Sequence, residues 1–179
     1  MGNAELQIIV LAADAGPPGA PPGAPPWQSA LVNGVPLLAL MLSRATAVAG
    51  HAVSVVLGAH AGELAPALGR LPVSLIVDRH WQEGPAAPVR AGIHSLAGSC
   101  SGALLLHASQ SGVTSAELQR LVDVWRRDTR AMVAAPCNAG HDLPAIFPRS
   151  EFPALLALRG EQGPQRLLRR PGIRVLSVP

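Results

Sequence analysis

The side chains that could do chemistry in this sequence are acidic and histidine residues in or beside predicted turns. Asp14 follows a short apolar run, and Glu83 and Glu161 lie beside glycines. His107 ends a predicted strand, and His141 lies in a predicted turn. Carboxylate oxygens bind hard divalent cations, and histidine can bind a metal or a substrate. Three of these residues also have a purely structural interpretation. Glu161 could be an acid that faces a helix dipole, His107 a strand-end side chain bonded to backbone, and His141 a turn residue held by its neighbours.

The positive charge of the chain comes from arginine alone. Lysine and arginine together number 14, the sequence contains no lysine, and the net charge is +3 at pH 7. Only three Trp and two Phe are present to stack on bases. The small cluster at Arg126, Arg127 and Arg130 is typical of a solvated helix face. We therefore expect no nucleic-acid binding.

Length and composition favour one soluble domain over residues 1–179. A chain of this size buries about 70% of its unfolded surface. Its apolar runs, such as 103–106, fall far short of the roughly 20 residues that span a bilayer, so no membrane contact is expected. The sequence starts without a basic segment or a cleavable apolar stretch, which predicts a cytoplasmic protein. Cys100 and Cys137 are too few for a disulfide framework or a metal cluster, so both are expected to be ordinary thiols.

Short apolar segments alternate with helical patterns through most of the chain. Runs rich in β-branched and apolar residues suit buried strands, which are predicted at 7–12, 53–57, 73–77, 103–106 and 131–135. Helices are predicted from Pro36 to a stop at Gly50, over 61–68 and 89–96, and after a cap at Thr114 or Ser115. This order predicts a Rossmann-like α/β domain, in which a mostly parallel sheet lies between two layers of helices.

The remaining segments complete this arrangement. Residues 143–147 are predicted as an edge strand, 152–158 and 165–170 as short helices, and 174–178 as the last strand. Residues 16–26, GPPGAPPGAPP, form a low-complexity tract in which proline fixes φ and disfavours a helix. We expect a loop there, on the cleft side of the sheet, because ligands of open α/β sheets bind at the carboxyl ends of the strands.

Several short motifs occur in a characteristic order along the chain. They are Leu11-Ala12-Ala13, Gly34-Val35-Pro36-Leu37-Leu38, Val55-Val56-Leu57-Gly58-Ala59-His60, Trp81-Gln82-Glu83-Gly84, Arg90-Ala91-Gly92, and residues 152–160 followed by Gly163. In this order and spacing the sequence resembles the MobA-like nucleotidyltransferases of molybdenum-cofactor maturation, nearly from end to end. The resemblance implies a three-layer α/β fold, transfer of a nucleotidyl group from CTP or GTP to molybdopterin, and Mg²⁺ as the cofactor.

The nucleotide-binding loop of the family corresponds here to Leu11, Ala12, Ala13, Asp14 and Gly16. Asp14 stands at the position of a family glycine and places a carboxylate where phosphate charge would lie. Six prolines fill the rest of the loop and have no N–H groups with which to hold a triphosphate. The family's lysine falls at about Trp27 or Gln28. These replacements predict an exposed, rigid loop in place of a phosphate cradle.

The other family motifs predict the catalytic and metal-binding residues. Ser109 takes the place of the family's metal-binding Asp, and a neutral hydroxyl is a poorer ligand for Mg²⁺ than a carboxylate. His107 is a substitute ligand in one interpretation of this turn. Glu161 keeps the carboxylate of the family's acidic turn near the C-terminus, so the predicted metal contacts are Glu161 and Ser109. The predicted catalytic residues are Glu161, Glu83, Arg90 and His141.

Two functional hypotheses follow from this resemblance. The changes in the glycine loop, the lysine and the metal-binding Asp all affect one mechanistic step, whereas the core motifs are retained. This pattern favours a pseudoenzyme that serves as a partner or assembly factor of a molybdoenzyme. The alternative is an active nucleotidyltransferase with an altered phosphate loop and weakened binding of CTP or GTP and molybdopterin. Stabilisation by magnesium and nucleotide separates the two, since only an intact site predicts it.

Overall fold

The computed structural model describes residues 5–137 and 140–178, and for His141 the backbone alone. The strands are β1 (Glu5–Ala12), β2 (Leu31–Val32), β3 (Val35–Pro36), β4 (Val53–Leu57), β5 (Ser74–Val77), β6 (Cys100–His107), β7 (Met132–Cys137), β8 (Gly140–Pro148) and β9 (Val175–Ser177). The α-helices are α1 (Leu37–Ala49), α2 (Ala61–Leu68), α3 (Ala86–His94), α4 (Ser115–Arg127), α5 (Phe152–Leu156) and α6 (Gln165–Leu168). Short 3-10 helices lie at Trp27–Ser29, Trp81–Glu83 and Arg149–Glu151. Within these ranges no helix has the length and hydropathy needed to cross a bilayer.

The main sheet of the described chain has seven strands in the order β5-β4-β1-β6-β8-β7-β9. β1 pairs in parallel with β4 and β6, and β4 pairs in parallel with β5. β8 is antiparallel to both β6 and β7, so β7 and β9 run in the same direction as β1. This confirms the prediction that residues 7–12, 53–57, 103–106 and 131–135 contribute parallel strands to one sheet, with 73–77 beside them.

β8 lies inside the sheet, so the prediction that residues 143–147 form an edge strand is wrong. Ala145, Ile146 and Phe147 are fully buried, because β6 and β7 flank the strand and other elements cover its faces. Pro144 falls at a shift of register between β7 and β8. A proline is tolerated at such an irregularity, since no regular ladder bond from its nitrogen is required there.

Alternate residues of β1 face opposite layers of the fold. Ile8 and Val10 belong to the same apolar cluster as side chains of α1 and α4. Ile9 and Leu11 belong to a second cluster, with side chains of α3, α5 and α6. Burying a side chain of this size contributes roughly 1.5–3 kcal/mol. The two clusters therefore hold β1 in the centre of three layers, and they determine where its carboxyl end and the loop that follows it emerge.

The helix starts that differ from the predicted ones lie beside prolines, and α3, α5 and α6 each end two residues before the predicted position. α1 begins at Leu37, directly after Pro36, and ends before Gly50, whose φ is +58°. α3 begins at Ala86 and not at the predicted residue 89, because Pro88 lies in its first turn, where no intrahelical N–H bond is needed. Thr114 caps α4 as one of the two predicted candidates, and its hydroxyl accepts a bond from the backbone N–H of Glu117.

Candidate functional site

The carboxyl ends of β1 and β6 lie side by side at the centre of the sheet. Their parallel pairing sets Leu11 opposite His107. Past that pair, the backbone N–H of Ala108 donates to the carbonyl of Leu11 at 2.9 Å. The residues that follow each strand are thereby brought to one edge of the sheet, where ligands of open α/β sheets bind. The proline-rich loop, residues 16–26, leaves β1 at this edge and lies outside the helices and strands, as predicted.

Asp14, His107 and Ser109 form a hydrogen-bonded chain at this edge. His107 Nε2 lies 3.1 Å from Asp14 Oδ2, and His107 Nδ1 lies 2.6 Å from Ser109 Oγ. The backbone N–H of Ser109 also donates to Nδ1 at 3.2 Å, so Nδ1 is an acceptor and Nε2 carries the proton that is donated to Asp14. The hydrogen bond from His107 is the main cause that lowers the pKa of Asp14 below its ordinary value. Asp14 is therefore a carboxylate at neutral pH.

Trp27 covers the hydrogen-bonded residues Asp14 and His107, and no pattern in the sequence predicted this role. Its ring stacks on His107, with the ring centroids 5.8 Å apart and the planes 5° from parallel. Its Nε1–H donates to the carbonyl of Asp14 at 3.3 Å. The backbone of Gly16 lies against the indole, so a Cβ added at Gly16 would come within 2.6 Å of the ring. A glycine at position 16, with φ of +91°, lets the loop pass close to Trp27.

Gln28 fastens the end of the proline-rich loop to β1. Its side chain is fully buried, and its Nε2 donates to the carbonyls of Ala12 at 3.0 Å and Asp14 at 3.2 Å. Trp27 and Gln28, the two residues predicted to stand near the family's lysine, are both neutral and make contacts within the protein. Trp27 covers His107, and Gln28 binds backbone carbonyls, so neither side chain presents a cation to the site.

A cavity of about 680 Å³ opens at this edge of the sheet. We call Asp14, His107 and Ser109 its β1/β6 wall, and Gly84, Glu161 and Gly163 its Glu161 wall. The rest of its lining is Leu11, Ala13, Trp81, Gln82, Pro85, Pro88, Val89, Gln110, Asp142, Leu143, Pro164 and Gln165. Among the predicted site residues, the cavity brings together Leu11, Ala13, Asp14, Ser109 and Glu161.

Four other predicted residues lie away from the cavity lining. Ala12 is 1% exposed and packs in the core. Gly16 donates its backbone N–H to Asp14 Oδ1 at 2.9 Å, which closes the start of the loop. Arg90 Nη2 donates to Glu83 Oε2 at 2.7 Å, and its Nη1 donates to the carbonyl of Leu158 at 2.8 Å. Arg90 therefore joins α3 both to the 3-10 helix that contains Glu83 and to the segment after α5. Their assignment as catalytic residues stays a prediction.

The Glu161 wall is held in place by close approach of two loops. The backbone N–H of Ala86 donates to the carbonyl of Gly160 at 3.2 Å. Gly84 has a φ of +109°, and a Cβ there would lie 2.6 Å from that same carbonyl oxygen. Glu161 itself makes no side-chain hydrogen bond to the described residues. It precedes the first residue of α6 by four positions, outside the first turn of that helix, so the interpretation of Glu161 as a dipole-facing acid loses its support.

Three other residues that could contribute to the site differ in what the structure says of them. Asp142 lines the cavity, and its Oδ1 accepts the backbone N–H of Leu143 at 2.7 Å. Asp78, which the sequence analysis did not single out, is 5% exposed, and among the described residues its Oδ2 has no partner. The side chain of His141 lies outside the described part of the structure. Within that part, no three His, Cys, Asp or Glu side chains gather as a metal site.

The sheet order, the helices on both faces and the cavity at the strand ends define the α/β fold of nucleotidyltransferases. The family model of the MobA-like NTP transferase domain matches residues 8–175. The chain therefore belongs to the MobA-like NTP transferase family. No curated protein is significantly similar to it in sequence.

Solved structures share this fold at low sequence identity. Rv0371c from Mycobacterium tuberculosis H37Rv superposes with a TM-score of 0.83 at 21% identity, over 99% of this chain and 88% of that one. The manganese complex of Rv0371c gives 0.81 at 20% identity, over 98% and 88%. Molybdopterin-guanine dinucleotide biosynthesis protein A from Archaeoglobus fulgidus gives 0.69 at 15% identity, over 97% and 83%. At these identities the likeness supports the fold alone.

Proposed function

We propose that this chain is a MobA-family pseudoenzyme, which has lost nucleotidyl transfer and acts as a protein partner in the maturation of a molybdoenzyme in the cytoplasm. The observation that carries the proposal is the state of the β1/β6 wall. Asp14 and His107 are hydrogen-bonded to each other there, and Trp27 stacks on His107 and donates to the carbonyl of Asp14, so the polar groups of this wall are satisfied within the protein.

The charge of the β1/β6 wall opposes a triphosphate. Asp14 is ionised, with a lowered pKa, and its carboxylate faces the cavity beside the loop where the family holds phosphate. The loop itself offers prolines, which donate no N–H, and the chain has no lysine with which to neutralise phosphate charge. An anionic ligand here would meet repulsion without the amide and lysine contacts that offset it.

The residues that remain do not fit a magnesium site. Mg²⁺ requires hard oxygen ligands in near-octahedral geometry. Ser109 is neutral, and its hydroxyl is hydrogen-bonded to His107. Asp14 accepts bonds from His107 and from the N–H of Gly16. Of the two predicted metal contacts only Glu161 is charged. Asp14 and Asp142 also line the cavity, but among the described residues no three acidic, histidine or cysteine side chains gather as a metal site.

Nucleotide-dependent stabilisation tests the loss of binding. A ligand at 100 Kd stabilises the folded state by about 2.7 kcal/mol. For a domain of this size 1 kcal/mol moves Tm by roughly 2 to 4 °C, so an intact micromolar site at millimolar nucleotide predicts a rise of about 5 °C or more. We expect a shift near zero with magnesium and either CTP or GTP. A rise of that size that disappears in Glu161→Ala would refute the pseudoenzyme proposal.

The partner role needs its own experiment. Purified chain is mixed with a molybdenum hydroxylase from the same organism, and size-exclusion chromatography with light scattering reports whether they form a complex of fixed stoichiometry. The proposal predicts a complex that is unchanged by Glu161→Ala, since a pseudoenzyme does not use the Glu161 wall for transfer. Two separate peaks at micromolar protein would contradict the partner role.

A second candidate function is an active nucleotidyltransferase that uses an altered phosphate loop. The observation in its favour is the retained cavity, of about 680 Å³, with the carboxylate of Glu161 on its wall. Incubation with magnesium, labelled CTP or GTP and molybdopterin tests it. Formation of the dinucleotide cofactor, abolished by Glu161→Ala, would establish the enzyme and displace the first proposal.

A further inference from the structure

A second cavity, of about 750 Å³, adjoins the first on the side of α6. The two cavities share four lining residues, so a ligand can extend from one into the other: Asp142, Glu161, Gly163 and Gln165. The wall away from this junction contains three arginines: Arg166, Arg169 and Arg170. None of these arginines was singled out in the sequence, because single arginines in a short helical segment carry no distinctive pattern.

The three arginines differ in whether their guanidinium groups already have hydrogen-bond or salt-bridge partners. Arg170 is bonded to Glu151 and donates its Nε–H to the carbonyl of Leu167. Arg166 and Arg169 are exposed, and neither makes a side-chain hydrogen bond or salt bridge within residues 5–137 and 140–178. Two guanidinium groups at pH 7 thus remain able to bind an external anion.

The short helix α6 places both arginines on the lining of the second cavity: Arg166 lies within α6, and Arg169 is the residue directly after its end. Leu167 and Leu168 are buried and anchor α6 against the core. Arg166 and Arg169 are three positions apart, a spacing that puts two side chains on the same face of a helical turn. With the leucines turned inward, this face is turned toward the second cavity. Paired guanidinium groups bind phosphate through several parallel N–H bonds.

Charge is unevenly distributed along the combined cavity. The carboxylates of Asp142 and Glu161 lie at the junction, whereas the unpaired arginines lie beyond it. A free anion would be attracted by one end and repelled by the other. A molecule with a phosphate at one end and hydroxyl or amino donors at the other would satisfy both ends.

We propose that Arg166 and Arg169 bind the phosphate of a small phosphorylated organic molecule, whose hydroxyl or amino groups donate hydrogen bonds to Asp142 and Glu161 at the junction. The site lies apart from the proline-rich loop and needs no divalent metal. The phosphate end of the site is therefore separate from the β1/β6 wall, and the two proposals share only the carboxylates at the junction.

The first experiment measures binding by isothermal titration calorimetry in buffer with EDTA, with ribose 5-phosphate as the probe. The test variant is Arg166→Gln/Arg169→Gln. The matched control is Arg126→Gln/Arg127→Gln, which removes the same two charges from exposed positions at the end of α4. We expect the test variant to bind at least about tenfold more weakly than the wild type, since charge-assisted bonds are the strong ones. The control is expected to stay within about twofold of the wild type, because distant exposed charges are screened.

The second experiment tests the junction by comparing ribose 5-phosphate with inorganic phosphate. The wild type should prefer ribose 5-phosphate, and Glu161→Gln should lose part of this preference while binding inorganic phosphate at least as tightly, because a repelling charge has gone. Any of three results overturns the proposal: no binding at about 10 mM ribose 5-phosphate, equal losses in the two double variants, or no preference over inorganic phosphate. Circular dichroism of each variant verifies that it is folded.

Discussion

The two walls of the first cavity differ in whether their polar groups are already engaged. On the β1/β6 wall Asp14, His107 and Ser109 bond to one another, and Trp27 covers the imidazole. On the Glu161 wall the carboxylate makes no described side-chain hydrogen bond, while the backbone beneath it is held tightly by Gly84 and Gly160. The polar groups of one wall are thus satisfied by each other, whereas the carboxylate of the other wall stays open to a ligand and only its backbone is fixed.

Gly84→Ala should have the largest effect on stability, because it disrupts the close backbone contact between Gly84 and Gly160 in the Glu161 wall. An alanine at φ of +109° is strained, and its Cβ would lie 2.6 Å from the carbonyl oxygen of Gly160. We expect a loss of roughly 3 kcal/mol or more in the free energy of unfolding, measured with urea. Gly62→Ala is the control, since a Cβ there meets nothing within 4 Å inside α2 and should be neutral or stabilising. Equal effects of the two changes would mean that the Glu161 wall is not held by its backbone.

Trp27→Ala removes the cover of the β1/β6 wall. The change removes the stacking on His107 and the hydrogen bond to the carbonyl of Asp14. We expect the free energy of unfolding, measured with urea, to fall by about 2 kcal/mol. Trp27→Phe keeps an aromatic ring but no N–H donor, and it should recover more than half of this loss. If Trp27→Phe were as unstable as Trp27→Ala, the stacked ring would contribute little to this wall.

Arg90→Met tests the link between α3 and the segment that leads to Glu161. The change removes bonds to Glu83 and to the carbonyl of Leu158 but keeps an apolar stem. We expect a loss of about 1.5 kcal/mol from these two charge-assisted bonds. The carbonyl of Leu158 is not left unpaired, because Arg159 Nη1 still donates to it at 2.8 Å. Arg127→Met, at an exposed position of α4, should change stability by less than about 0.5 kcal/mol. A loss of nucleotidyl transfer with stability unchanged would instead support the prediction that Arg90 is a catalytic residue.

Asp14→Asn should have the smallest effect, visible as a change in pH dependence. The folded-state pKa of Asp14 is lowered, chiefly by the bond from His107, so the carboxylate stabilises the fold above its unfolded pKa. That contribution is lost as pH falls through the folded-state pKa. Between pH 5 and pH 3 the wild type should therefore lose more stability than Asp14→Asn, by less than about 1 kcal/mol because the pair is half-exposed. Glu117, whose pKa is also lowered, is present in both proteins and cancels from the difference. Parallel pH profiles would show that the Asp14–His107 bond contributes nothing to stability.

Much of the fold could be predicted from local patterns. β4 and α2 have the predicted bounds of 53–57 and 61–68, and Thr114 caps α4 as one of the two expected residues. Apolar runs and helical periodicity are properties of neighbouring residues, and they are therefore visible in the sequence. The position of β8 was not predictable in this way, because an apolar run does not reveal which strands will flank it.

The sequence by itself determined which chemical groups are available at the site: no lysine, prolines without N–H donors, and a serine at the family's aspartate position. Tertiary structure decided how the available groups pair. Asp14 and His107 are 93 residues apart and meet only because β1 and β6 are adjacent and end at the same level. Glu83 and Arg90 are only seven positions apart, but Arg90 also binds the carbonyl of Leu158, 68 residues further along the chain, and that contact depends on the fold. Such contacts depend on the geometry of distant strand and helix ends, which the spacing of residues along the chain does not encode.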